Sequence, residues 1–137
     1  MMTILQPPGW VRPRGYSNGI AARGTLVSIA GQIGWDAACQ FQSDDLIDQT
    51  RQALANVLTV LAEAGGRPGH LVRMTWYLTD RDAYLAGGRE IGRIYRELMR
   101  GPEGEVHYPV MTAVQVLALI EAQAKVEIEA TAVIPDA

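Results

Sequence analysis

Two glutamates stand two residues apart in Lys125-Val-Glu-Ile-Glu-Ala-Thr-Ala-Val133. In an extended chain that spacing puts both carboxylates on one face, because successive side chains alternate. A carboxylate in a partly dry cleft can take a proton from an attacking water and return it to a leaving group. Glu127, with Glu129 at most as a partner, could act so, or it could simply face solvent or pair with Lys125 or an arginine. Tyr16 carries a phenol that can orient a ligand. Gly31 and Gln32 can offer amide N–H groups to an anion. Trp35 can stack on a flat ligand, and Met111 can form an adaptable apolar wall. Histidine is the side chain suited to proton transfer near neutral pH, which makes His107 a candidate cation or proton carrier.

Other chemistries find little support. A phosphate loop would need G-x-x-x-x-G-K and a dinucleotide site G-x-G-x-x-G after a strand; neither occurs. Serine hydrolysis is not expected either. One cysteine, Cys39, and two histidines, His70 and His107, leave no metal set and no disulfide framework. We therefore expect neither a metal nor a cofactor. The net charge of -3 gives no electrostatic reason to bind a polyanion. That makes nucleic acid a poor partner. No apolar run reaches the ~20 residues that span a bilayer, and residues 1–14 hold three prolines and no apolar leader. A cytoplasmic protein acting on a small-molecule metabolite is the expectation.

These groups need elements to hold them. With 137 residues, 48% hydrophobic and 20% charged, the chain makes one domain with a real core. Residues 1–15 read as an extended, proline-rich lead-in. Tyr16–Ala22 and Thr25–Ala30, joined by Arg23-Gly24, read as a hairpin of strands. Ser43-Asp44-Asp45 starts a helix. Its apolar residues recur from Leu46 to Ala62 at three-to-four spacing, and Gly65-Gly66 ends it. His70–Leu78 is a strand with Val72, Met74, Trp76 and Leu78 on one face. A loop over Asp82–Gly88 leads into a helix over Arg89–Met99. Pro109 suits the first residue of a further strand. There Val110, Thr112 and Val114 share one face, and Met111, Ala113 and Gln115 the other.

Strand–helix–strand steps used twice predict an α+β fold, one mixed β-sheet with two helices on one face. The second face still holds Met, Leu, Val and Ala. Its cover is expected to be another copy of the chain.

Four segments together resemble the Rid family (YjgF, formerly L-PSP endoribonuclease), many of whose members hydrolyse reactive enamines and imines. They are Gly15-Tyr-Ser-Asn-Gly19, Val27-Ser-Ile-Ala-Gly-Gln-Ile33, Gln49-Thr-Arg-Gln-Ala-Leu-Ala-Asn-Val57 and Val126-Glu-Ile-Glu-Ala-Thr-Ala132. The resemblance spans almost the whole chain. It implies a chorismate-mutase-like fold, a homotrimer and three clefts between subunits. It also implies that Tyr16 lines the cleft, that Gly31-Gln32 forms a glycine–glutamine turn, and that Glu127 handles the attacking water. Three positions depart from the deaminase-active pattern. Met111 stands where an arginine clamps the substrate carboxylate, Ala113 where a small polar or thiol residue sits, and Gly92 near a helix asparagine. A thioether cannot imitate a bidentate guanidinium–carboxylate pair. The resemblance thus implies a hydrolase that does not take small 2-imino acids in the usual pose. A larger, flatter substrate, such as an aminomuconate-like enamine, fits the change. The alternative is a trimer that binds a metabolite or protein without catalysis. RNA cleavage, suggested by the older family name, is disfavoured by the acidic charge.

Overall fold

The computed structural model describes residues 2–137. Asp45 opens the longest helix by accepting the Asp48 N–H at 3.1 Å. That bond satisfies one of the orphan donors of a first turn. Helix α1 (Leu46–Glu63) then lays Ala53, Leu54, Val57 and Leu61 against the sheet, all fully buried. It ends where the Gly65 and Gly66 N–H groups donate to the Ala62 and Leu61 carbonyls.

Four strands make the main sheet: β3 (Thr25–Ile33), β4 (Leu71–Leu78), β5 (Val110–Gln115) and β6 (Val126–Ile134). Their order is β3-β6-β4-β5, so β3 and β5 are the two edges. Only the β4–β5 pair is parallel. Val126, Ile128, Ala130 and Ala132 of β6 and Met74, Trp76 and Leu78 of β4 form the buried face. Helix α3 (Gly88–Leu98) covers the same face beside α1, inserting Ile91, Ile94 and Tyr95. An Arg51–Glu97 ion pair joins the two helices. The buried amide of Gln49 donates to the Ser43 and Gln123 carbonyls at 3.0 Å and accepts the Lys125 N–H at 2.8 Å. It ties the start of α1 to the start of β6.

The architecture is the expected α+β one, with three local differences. First, the lead-in contains a strand. Strand β1 (Met2–Leu5) pairs antiparallel with β2 (Gly19–Ala22) as a separate ribbon. The chain reverses at Pro7-Pro8-Gly9, where the Trp10 N–H donates to the Pro7 carbonyl at 3.2 Å. So β2 is partnered from its N-terminal side, and the hairpin with Thr25–Ala30 does not form. Second, the segment read as a loop over Asp82–Gly88 holds a short helix, α2 (Arg81–Ala86). Asp80 caps it by accepting the Ala83 N–H at 3.0 Å.

Third, the outer sheet face is more polar than the alternation of β5 suggested. Met111 and Ala113 stand in register with Met74 and Trp76, so they turn toward the helices. The outer face instead carries Arg73, Thr75, Tyr77, Thr112, Glu127, Glu129 and Thr131. There the Tyr77 hydroxyl donates to Glu129 at 2.6 Å. That bond, with the neighbouring negative charge, holds the phenol above its ordinary range. Glu129 is thereby committed to a cross-strand partner. The same outer face also carries Val110 and Val114 of β5 and Leu26 of β3, and Leu26 and Val114 are exposed there. Leu117, Ile120 and Val11, away from it, are almost fully exposed. Among the described residues no helix is long and apolar enough to cross a membrane.

Candidate active site

Strand β5 is an edge, and the segment before β2 runs along it. The Ser17 N–H donates to the Pro109 carbonyl at 3.0 Å, and the Ser17 hydroxyl donates to the Tyr108 carbonyl. This bridge to Val110 holds Tyr16 at the helix-side edge of β5. Between that edge and α3 lies a cavity of about 480 Å3. Met111 and Ala113 form one wall, and Ile91, Gly92, Tyr95 and Arg96 of α3 the other. The volume lies within the range of small-molecule sites.

The cavity is aromatic and cationic. Tyr16, Trp76, Tyr84, Tyr95 and Tyr108 all line it, with Arg14 and Arg96 as its charged residues. No carboxylate lines it among the described residues. Tyr95 stacks on Tyr108 with ring centroids 5.4 Å apart, and its hydroxyl donates to the His107 carbonyl at 2.8 Å. Burial pushes that hydroxyl far above the usual phenol range, so Tyr95 is a wall and not a proton carrier. The Trp76 indole N–H is buried with no hydrogen-bond partner among the described residues.

A second constellation sits at the other side of the sheet. Strand β3 carries one extra residue against β6 between Ile29 and Gln32. Gly31 lies in this bulge, and such bulges re-aim the groups beside them. The Glu127 carboxylate is folded onto Gly31, and a Cβ at that position would overlap its Oε2. Only glycine leaves this place open. The expected glycine–glutamine turn is therefore a strand bulge, with β3 running on through Ile33. The Gln32 side chain donates to the Ala30 carbonyl at 3.0 Å.

Distance decides how these parts relate. Strand β6 lies two strand spacings, roughly 10 Å, from β5. Glu127 faces outward, whereas Met111 faces the helices. No small ligand seated against Met111 reaches Glu127 of the same chain. One chain thus presents two separate groups of candidate residues: Tyr16 and Met111 at the β5 edge, and Gly31, Gln32 and Glu127 near the β3 edge.

The remaining candidates fall outside both. The His107 ring nitrogen Nε2 is 2.6 Å from the Leu71 carbonyl, which commits it to the backbone as a donor. It does not line the cavity. Trp35 packs on Phe41 with centroids 5.8 Å apart, and its carbonyl accepts from Asn56 at 2.8 Å. It belongs to the loop before α1. Gly15-Tyr-Ser-Asn-Gly19 does spell G-x-S-x-G, so serine hydrolysis is excluded by geometry and not by pattern. Ser17 is buried and bonded to a carbonyl, and it precedes a strand where a nucleophile elbow needs a strand-to-helix turn. The sequence reading missed Arg14, Arg96, Trp76 and Tyr84. Gly88, Gly92, Tyr95 and Arg96 recur at three-to-four spacing, the signal that could have found the α3 wall.

Comparison with known proteins gives a consistent result. The family described as Endoribonuclease L-PSP matches residues 11–134. The chain is similar to the human 2-iminobutanoate/2-iminopropanoate deaminase, 28% identical over 97% of this chain and 88% of that protein. Among solved structures it is similar to YyfB of the Rid family from Yersinia pestis (TM-score 0.80, 31% identity, covering 97% and 98% of the two chains). It is also similar to Escherichia coli TdcF with bound serine (TM-score 0.66, 31% identity, covering 96% and 98%).

Proposed function

The chain belongs to the endoribonuclease L-PSP family, the Rid or YjgF proteins, and from that premise we propose that it hydrolyses the C=N bond of a reactive enamine or imine in clefts between three copies. Each cleft joins the Tyr16–Met111 pocket of one copy to the Gly31–Glu127 pair of the next. The observation that carries this is the split: two groups of candidate residues on opposite sides of one sheet, too far apart to share a small ligand within one chain. An enamine protonated on carbon becomes an iminium. Glu127 takes a proton from water as the oxygen adds to that carbon. It then returns that proton to nitrogen and takes the hydroxyl proton as the C–N bond breaks, so ammonia leaves and a carbonyl remains.

Two further facts support the reading. A human relative is named for deaminating 2-imino acids, and TdcF is described with serine bound, a ligand with both amine and carboxylate. Met111, Ala113 and Gly92 remove the usual grip on a small 2-imino acid, while the aromatic walls suit a wider body.

The test is ammonia release from imines generated in place by an amino-acid oxidase. Acceleration over spontaneous hydrolysis is expected to be larger for the phenylalanine-derived imine than for the alanine-derived one. No acceleration with either would overturn the proposal. The missing groups at Met111, Ala113 and Gly92 favour a second reading, a trimer that only binds its ligand. Ligand-dependent thermal shifts without ammonia release would establish it instead.

A further inference from the structure

We propose that Arg96 is the anionic anchor of the β5–α3 cavity, and that it selects a carboxylate carried on a flat aromatic or conjugated body. This rests on the cavity being the ligand site of the proposed reaction, but not on any turnover there. Helical side chains lean toward the N-terminus and cover the preceding turn. Arg96 lies one turn beyond Gly92 and folds back over it. A Cβ at Gly92 would stand 3.1 Å from Nη1 of Arg96, so the guanidinium occupies room that only glycine leaves fully open. The residue that removes a polar side chain from α3 thus also admits a cation from one turn away.

That cation is free to act. Arg51 pairs with Glu97, and Arg93 pairs with Glu90 at 2.8 Å. Arg96 makes neither an ion pair nor a hydrogen bond among the described residues, and no carboxylate lines the cavity to neutralise it. Across from it, Met111 offers no charge. A guanidinium presents parallel N–H donors that match the two oxygens of a carboxylate. The anchor has therefore moved from the strand wall to the helix wall. A ligand held from α3 lays its body along Met111, Tyr16, Trp76 and Tyr84. Those walls favour a planar apolar group over the methyl or ethyl of a small acid.

Benzoate and 3-phenylpropionate, with benzamide as the uncharged control, test this by isothermal titration against the intact protein. At least one of the two carboxylates is expected to bind, and benzamide more weakly. Arg96→Gln is expected to weaken carboxylate binding at least about tenfold, the scale of a lost charge-assisted bond. Arg96→Lys should recover part of that, and Gly92→Ala should lose an intermediate amount. Arg14→Gln, a change at the other arginine that lines the cavity, should alter binding far less. Failure of both carboxylates to bind, equal binding of benzamide, unchanged binding in Arg96→Gln, or a loss that follows Arg14 would each overturn the assignment. Because the readout is binding, a protein that releases no ammonia still tests it, and the two proposals fail separately.

Discussion

Replacing Glu127 by glutamine is expected to lower ammonia release by about 10²–10⁴-fold, the usual worth of a positioned acid–base group. The amide has the same shape as the carboxylate, so its packing on Gly31 is kept. It cannot accept the proton of an attacking water. Thermal stability and carboxylate binding in the β5–α3 cavity should therefore stay near those of the parent protein. A variant with full turnover would remove Glu127 from the mechanism and leave the cavity as a binding site alone.

Gly31→Ala should produce nearly as large an effect by another route. The atoms its Cβ would meet, Oε2, Cδ and Cγ of Glu127, all belong to one flexible side chain. The fold can accommodate the methyl group by swinging that carboxylate aside, so stability should change little. The displacement is on the order of 1 Å or more, and misplacing a reacting group by that much can cost about 10²-fold. The expected pattern is a folded protein with about a hundredfold lower kcat. Wild-type turnover in Gly31→Ala would show that the carboxylate's place on the bulge is incidental.

How much of this could be read before folding depended on whether a signal was local. Ser43-Asp44-Asp45 as a helix start, Gly65-Gly66 as its end and Pro109 as a strand start rest on backbone chemistry within a few residues. The helix starts there with Asp45 as its cap and ends before the glycines, while the strand begins one residue after Pro109, at Val110. The two faces of β6 were separable, Val126, Ile128, Ala130 and Ala132 against Glu127, Glu129, Thr131 and Val133. The alternation was not clean enough to say that only one is buried; the structure buries the first. In strand β5 both faces carry apolar residues, and only pairing with Met74 and Trp76 sends Met111 toward the helices. The bulge at Gly31 exists only against β6, and His107 loses its suspected role only because the Leu71 carbonyl lies beside it. Trp35 likewise finds Phe41, a partner that its own spacing does not announce.

The cavity shows the same division. Tyr16 and Met111 were identified through family resemblance and do line it. Arg96 is exposed, as a charge on an amphipathic helix ordinarily is, so its own spacing gives no reason to single it out. Its meaning emerges only beside Gly92, where a missing side chain and a folded-back guanidinium share one space. The G-x-S-x-G letters make the opposite point. The pattern is present, yet the bond from Ser17 to the Tyr108 carbonyl turns that serine into a clasp for the Tyr16 segment.

Sharing of one cleft by two copies is tested most directly by mixing two inactive proteins. Glu127→Gln keeps the β5–α3 cavity intact, and Ala113→Phe blocks that cavity while keeping Glu127. Each alone should be nearly inactive. Unfolded together and refolded into mixed trimers, about a quarter of the clefts would pair a sound cavity with a sound carboxylate, given random assortment around a cyclic oligomer. Recovery of about a quarter of the parent activity is the predicted result. Mixed trimers that stay as inactive as either variant would contradict a cleft built from two copies.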